Sequence, residues 1–279
     1  MEQWGSGRAD DLARLVADAM PAEGLTADEL LACCWEDPGI VVAAPEGDGA
    51  VAAVVRGSTG WIKLLAVRPG ARRRGLGRAL LTAAEEWATG EGAGAMRWGD
   101  CAPFYLWPGI DVRASAALCL AEVAGYEHEG ANLNLSCATK FRMPPPEGVV
   151  VRRVLDEDDA AAVHALCGTH WPWWEDELRR GIEHGCCLGA FADDGSPVGF
   201  GCHSVNRAAW VGPMATDPGR QHGGVGSALL GEVCKDLMVA GHADAEIAWV
   251  GPVSFYVRSA GAAVSRVFRT AVKPLAGAP

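Results

Sequence analysis

The 279-residue sequence predicts a mixed α/β fold, an α+β mixed sheet flanked by helices, present as two tandem copies. Three observations carry this. The length exceeds one ordinary domain and suits two of about 140 residues. The segment LLAVRPGARRRGLGRALL, residues 64–81, recurs as PMATDPGRQHGGVGSALL, residues 213–230; the two agree at eight of eighteen positions without a gap, at a constant offset of 149. In both copies an apolar strand-like run enters a glycine-rich turn and leaves as an amphipathic helix, the order that builds a sheet with a crossover helix.

The elements follow in order. Apolar residues at helical spacing predict helices over 10–19 and 27–35, and only about eight residues precede the first, which leaves little room for an initial strand. Gly47-Asp48-Gly49 splits two hairpin-like strands, and a third runs over 62–67 into the glycine turn and a helix from Gly77. The second copy repeats the pattern: a strand over 149–154, helices over 158–166 and 175–184, strands divided at Asp193-Asp194-Gly195, a strand over 210–216 and a helix from Gly226. Pro144-Pro145-Pro146-Glu147-Gly148 lacks backbone donors and stiffens the chain. The expected organisation is a first domain over 1–143, a linker over 144–148 and a second domain over 149–279.

Composition narrows the function. Hydrophobic residues at 49% and charged residues at 21% exclude wholesale disorder. A net charge of −11 argues against nucleic acid or an anionic membrane as partner, because the mean field repels phosphate. No apolar run approaches the roughly 20 residues of a membrane span. The ten cysteines fall as adjacent pairs and scattered singles without ligand spacing. They read as reduced thiols in a cytoplasmic protein, with no metal site.

The glycine turn carries the chemistry. Two glycines spaced GxG between strand and helix let backbone amides point outward beside the positive end of a helix, an anion cradle suited to phosphate or pyrophosphate. Arg72, Arg73, Arg74 and Arg78 form a basic cluster around the first turn; Arg220 and His222 stand near the second. The plainer alternative is a packing turn with a solvated basic face, which repetition of the spacing disfavours. No lysine follows a glycine as a P-loop requires, and Gly75-Leu76-Gly77-Arg78-Ala79-Leu80 and Gly224-Val225-Gly226-Ser227-Ala228-Leu229 lack the last small residue of a dinucleotide fingerprint.

Arg72-Arg73-Arg74-Gly75-Leu76-Gly77 and Gln221-His222-Gly223-Gly224-Val225-Gly226 resemble the R/Q-x-x-G-x-G/A signature of the GCN5-related N-acetyltransferases, the GNAT superfamily. The resemblance covers both halves. It implies acetyl-coenzyme A as co-substrate, its pyrophosphate on the amides of residues 72–78 and 221–227, Ser227 included. Leu65-Ala66-Val67 and Met214-Ala215-Thr216 would lie along the pantetheine arm, on a strand splayed from its neighbour. It further implies a tyrosine four residues before a helix-terminal glycine, placed to protonate the departing thiolate. Tyr256 precedes Gly261 by five, and in the first copy Ala121 precedes Gly125 by four. Extra residues before that first-copy helix include Tyr105, a candidate substitute acid or part of a loop covering the sheet edge.

Acetylating a primary amine requires removing a proton from a group of pKa near 10. His203 and Glu246 are the candidate bases, each also explicable as an ordinary strand residue. Trp171, Trp173, Trp174 and Glu175 fall where the resemblance places acceptor-binding residues, and ring faces with carboxylates suit a cationic amine. The same residues would also serve as a tryptophan staple and a helix start. The expected function is N-acetyl transfer to a small-molecule or peptide amine in a ternary complex. The alternative is a coenzyme A-binding regulatory or scaffold protein with one or both copies degenerate.

Overall fold

The architecture is that of a computed structural model described over residues 1–275. In chain order the elements are β1 (Glu2–Gln3), α1 (Ala9–Ala19), α2 (Ala27–Cys34), β2 (Gly39–Ala43), β3 (Gly49–Arg56), β4 (Thr59–Val67), α3 (Leu76–Gly90), β5 (Ala95–Trp98), β6 (Ile110–Asp111), α4 (Ser115–Val123) and β7 (Glu127–Ala138). The repeat continues with β8 (Val149–Arg153), α5 (Glu157–His170), α6 (Glu175–Glu183), β9 (Cys187–Ala192), β10 (Pro197–His203), β11 (Trp210–Thr216), α7 (Val225–Val239), β12 (Asp244–Ile247), α8 (Val253–Ala260) and β13 (Ala263–Pro274). The fold is mixed α/β, as expected.

Local chemistry explains the helix starts. Thr26 Oγ1 accepts from Glu29 N at 3.2 Å while Glu29 Oε2 accepts from Thr26 N at 2.8 Å, a capping box that opens α2. Asp156 caps α5 by accepting from Asp159 N. β3 is buried from Gly49 through Val55, a continuous apolar run suited to a strand covered on both faces.

The first compact unit comprises Met1–Asn132 and the stretch from Val267. Its strands run β1-β2-β3-β4-β5, antiparallel except for the parallel β4–β5 pair, and then Ala271–Pro274 of β13 pair with Ala95–Trp98. One face packs on α3 and α4 around Leu80, Leu81, Met96 and Ala121; the other packs on α1 and α2 around Leu12, Leu15, Leu30 and Leu64. β1 is present but only two residues long.

The second unit is Leu133–Arg266. Its strands run β8-β9-β10-β11-β12, with β11–β12 parallel, and then residues 135–138 of β7 pair with β12. α7 and α8 cover one face and α5 and α6 the other. Each unit therefore takes its last strand from the other sequence half. The proline segment at 144–148 marks the join of two repeats, whereas the compact units divide near 132 and 266, because backbone pairing and not repeat length decides which residues share a core. Among the described residues no helix is long and apolar enough to cross a membrane.

Candidate active site

The two glycine turns adopt one geometry. Arg73 (φ 61°) and Gly75 (φ 84°) are left-handed in the first unit; His222 (φ 65°) and Gly224 (φ 89°), each 149 residues on, are left-handed in the second. The first intrahelical bonds run from Ala79 N to Gly75 O at 3.0 Å and from Ala228 N to Gly224 O at 3.1 Å, and no side chain caps either helix. The amides of residues 76–78 and 225–227 thus lack an intrahelical partner and head the positive end of a 15-residue helix. A Cβ at Gly75 or Gly224 would meet nothing within 4 Å, so the space before the amides is open. Such a turn has the geometry of a cradle that can accept an anionic group.

Not all of the basic cluster faces that space. Arg72 donates from Nε to Val67 O (3.0 Å) and from Nη2 to Ala19 O (2.7 Å), tying the turn to the end of α1; Arg78 donates to Val123 O (2.9 Å), tying α3 to α4. Arg73 and Arg74 are exposed. In the second unit Ser227, the counterpart of Arg78, bonds across to Ser259 at 2.9 Å and ties α7 to α8 in the same way.

Both parallel strand pairs open toward the turn. β4 pairs with β5 only from Thr59 to Ile62, and β11 with β12 only at Trp210 and Val211. Leu65-Ala66-Val67 and Met214-Ala215-Thr216 continue beyond the pairing, toward the cradle. A bulge marks each opening: Lys63 is extra between the Ala52–Leu64 and Ala53–Ile62 pairs, and Gly212 with Pro213 oppose the single residue Cys202.

The family model described as "Acetyltransferase (GNAT) family" matches residues 9–104 and 151–254, once per repeat. The chain belongs to the GNAT family. Among solved structures, a tandem GNAT protein from the clavulanic acid biosynthesis pathway is 15% identical at TM-score 0.75, over 99% of this chain and 98% of that one. A GCN5-related N-acetyltransferase from Sphaerobacter thermophilus is 20% identical at TM-score 0.70, over 98% and 95%. A glucosamine N-acetyltransferase region of a fungal multi-domain β-N-acetylglucosaminidase is 17% identical at TM-score 0.75; it covers 98% of this chain, which spans only 38% of that protein. These identities show the tandem fold. No protein with a curated description matches the sequence.

With two GNAT units in one chain, equivalent positions can be compared. A Cβ on Gly77 would approach Leu120 at 3.3 Å and one on Gly226 would approach Phe255 at 3.2 Å. Leu120 therefore corresponds to Phe255, and Ala121 to Tyr256; the extra residue that separates Tyr256 from Gly261 lies after the tyrosine. Tyr256 is buried on the α7/α8 face with its ring 4.8 Å from that of Phe255, and burial, helped by Cys137, pushes its phenol well above the usual range. It stays protonated at neutral pH.

Glu246 sits opposite Trp210, one pair before the β11–β12 ladder ends, between Ala245 and Ile247, which pack under α7. Strand alternation sends its side chain to the opposite face, the side of α5 and α6. Fully buried Asn134 donates to Glu246 Oε1 at 2.6 Å and accepts from Trp249 N at 2.9 Å, fixing the carboxylate. The same ladder position in the first unit holds Arg97, which donates to Asp100 and pairs with Glu129. Neither Asn134 nor its pairing was readable from sequence, since Asn132-Leu133-Asn134-Leu135 reads as an ordinary strand with one wet face.

Other predicted residues go elsewhere. His203 lies on the α7 face, its Nε2 3.4 Å from Asp236, which also pairs with Arg153. Asp236 lies eleven residues beyond the start of α7, about 16 Å along its axis. His203 thus stands beside the Asp236–Arg153 pair, away from the turn at the start of α7, while its backbone lies opposite Val211 next to the bulge. Tyr105 is buried in a loop whose neighbours Phe104, Leu106 and Trp107 pack on the α1/α2 core, the face opposite Ala121, so the loop covers that face of the sheet. Trp171 stacks on Trp174 (6.1 Å) and meets Phe200 edge-on (5.9 Å), so both help close the α5/α6 core, whereas Trp173 is exposed and Glu175 opens α6 at the surface.

Proposed function

We propose that the second unit is an acetyl-coenzyme A-dependent N-acetyltransferase acting on an amine, and that the first unit binds the same co-substrate without acylating an external amine. The observation that carries this reading is the asymmetry at equivalent positions: both units keep the turn and the opened strands, but only the second pairs them with a carboxylate at Glu246 and a phenol at Tyr256.

Acetyl-coenzyme A supplies an activated acyl thioester. The amides of residues 221–227 would hold its pyrophosphate, and the edge of Met214, Ala215 and Thr216 its pantetheine arm, with residues 72–78 and 65–67 in the same roles in the first unit. Glu246, held by Asn134 on the acceptor face, removes the proton that keeps the amine from attacking. Backbone amides where β11 leaves β12 would stabilise charge on the carbonyl oxygen, and Tyr256 gives its proton to the sulfur. Trp173 and Glu175 suit a cationic small-molecule or peptide amine at the rim.

The test is thiol release from acetyl-coenzyme A over an amine panel. Glu246→Gln and Tyr256→Phe should each lower turnover about a hundredfold, with coenzyme A affinity little changed. Unchanged turnover in either variant removes that residue from the mechanism. Cofactor binding with no amine raising turnover favours a binding module instead.

A further inference from the structure

The first unit carries a buried amine at the point where its strands open. Lys63 is the only charged residue on β4, and its side chain is fully buried. It occupies the bulge, the first position past the parallel pairing with β5, where the second unit has Gly212. Its ammonium pairs with Glu36, and among the described residues no hydrogen-bond acceptor completes its donor set. Glu36 also pairs with Arg56, so a single carboxylate serves two cations. The neighbouring thiols of Cys34 and Cys101 are pushed up by burial and stay neutral; they neither balance this charge nor compete as thiolate nucleophiles.

We propose that the first unit acetylates its own Lys63, which makes this side chain a modification site and the unit's acyl acceptor. The inference rests on the reading that the first turn binds acetyl-coenzyme A. In the step, Lys63 Nζ passes one proton to Glu36 and attacks the thioester carbonyl; the new C–N bond forms, the C–S bond breaks, and the second proton of the amine leaves with the thiol. Glu36 then returns its proton to solvent. Acylation removes one of the two cations and leaves Glu36 matched to Arg56, relieving the cost of an excess buried charge. A single-turnover reaction on a fixed amine draws on positioning, so a unit with Ala121 and Arg97 in place of Tyr256 and Glu246 can still perform it.

The experiment incubates the full chain with isotopically labelled acetyl-coenzyme A and follows acetyl occupancy of each lysine by peptide mass spectrometry. Lys140 and Lys235 are exposed and report uncatalysed acylation. Label should enter Lys63 at least about tenfold faster than either, reflecting its fixed position, and Glu36→Gln should slow it. Coenzyme A titration of Gly224→Val, whose second turn is blocked, isolates binding to the first unit. Binding there with Lys63 unlabelled overturns the acylation and leaves the binding reading intact; no binding and no label overturns both. Equal labelling of Lys63 in Gly75→Val, with the fold checked by circular dichroism, also overturns it.

Discussion

A neutral imidazole is what the surroundings of His203 favour. Burial is the largest influence and lowers its pKa, Arg153 and His242 lower it further, and the Asp236 carboxylate opposes them without prevailing. A depressed folded pKa means that protonation works against the fold. The contribution is fully present above the unfolded value near 6.5 and is lost as pH falls through the lower folded value. Stability of the native chain should therefore decline on the acid side, and His203→Gln should flatten that part of the profile. Melting temperatures between neutral and mildly acidic pH check this; an unchanged slope in the variant assigns the acid loss to other groups.

At the scale of an element, the turn was legible in sequence and its partners were not. Gly75 and Gly224 announce themselves because only a residue tolerant of positive φ suits the start of α3 or α7, and the spacing occurs twice. Glu246 was visible as a strand carboxylate, but its fixation by Asn134 joins residues more than a hundred positions apart. Lys63 is a single charge in an otherwise apolar strand, and its meaning depends on a bulge that no periodicity reveals. The turn makes its own prediction. Gly224→Ala places a methyl in open space, so its stability cost is the left-handed backbone alone, about 1 kcal/mol; its affinity cost should be larger, because the methyl enters the space before the amides. Gly226→Ala meets Thr216 at 3.1 Å and Phe255 at 3.2 Å and should instead shift α7 against α8, disturbing Tyr256. Thermal melts with coenzyme A calorimetry separate the two, and a Gly224→Ala chain that binds normally would mean that the turn is not the cradle.

Over the whole molecule, repeat and compact unit differ because the last strands are exchanged, and buried side chains match each strand to its host. In the first unit Lys273 of β13 pairs opposite Met96 and donates to Glu85 at 2.7 Å, while Tyr126 donates to the same carboxylate at 2.9 Å. In the second unit Cys137 of β7 pairs opposite Ala245, in the same buried cluster as Cys234 of α7. Ala245 and Cys234 lie 149 residues beyond Met96 and Glu85, so Lys273 and Cys137 are equivalent, as are Glu85 and Cys234. A half that closed on its own last strand would bury Glu85 without its cation, or Lys273 against a thiol. Both mismatches leave a partly buried charge unpaired, at about 1–3 kcal/mol. The sign of one substitution then depends on context. In the full chain Glu85→Ala removes a satisfied partner and should lower the melting temperature. In an isolated 1–143 fragment, where Cys137 is the only residue available to that position, the same change removes a carboxylate that keeps Tyr126 but has no cation, and should raise stability or reduce aggregation. Co-expression with 149–279 should restore the original sign by supplying Lys273. A fragment that Glu85→Ala destabilises as much as the full chain would show that the pairing of Lys273 with Glu85 does not select the exchanged strand.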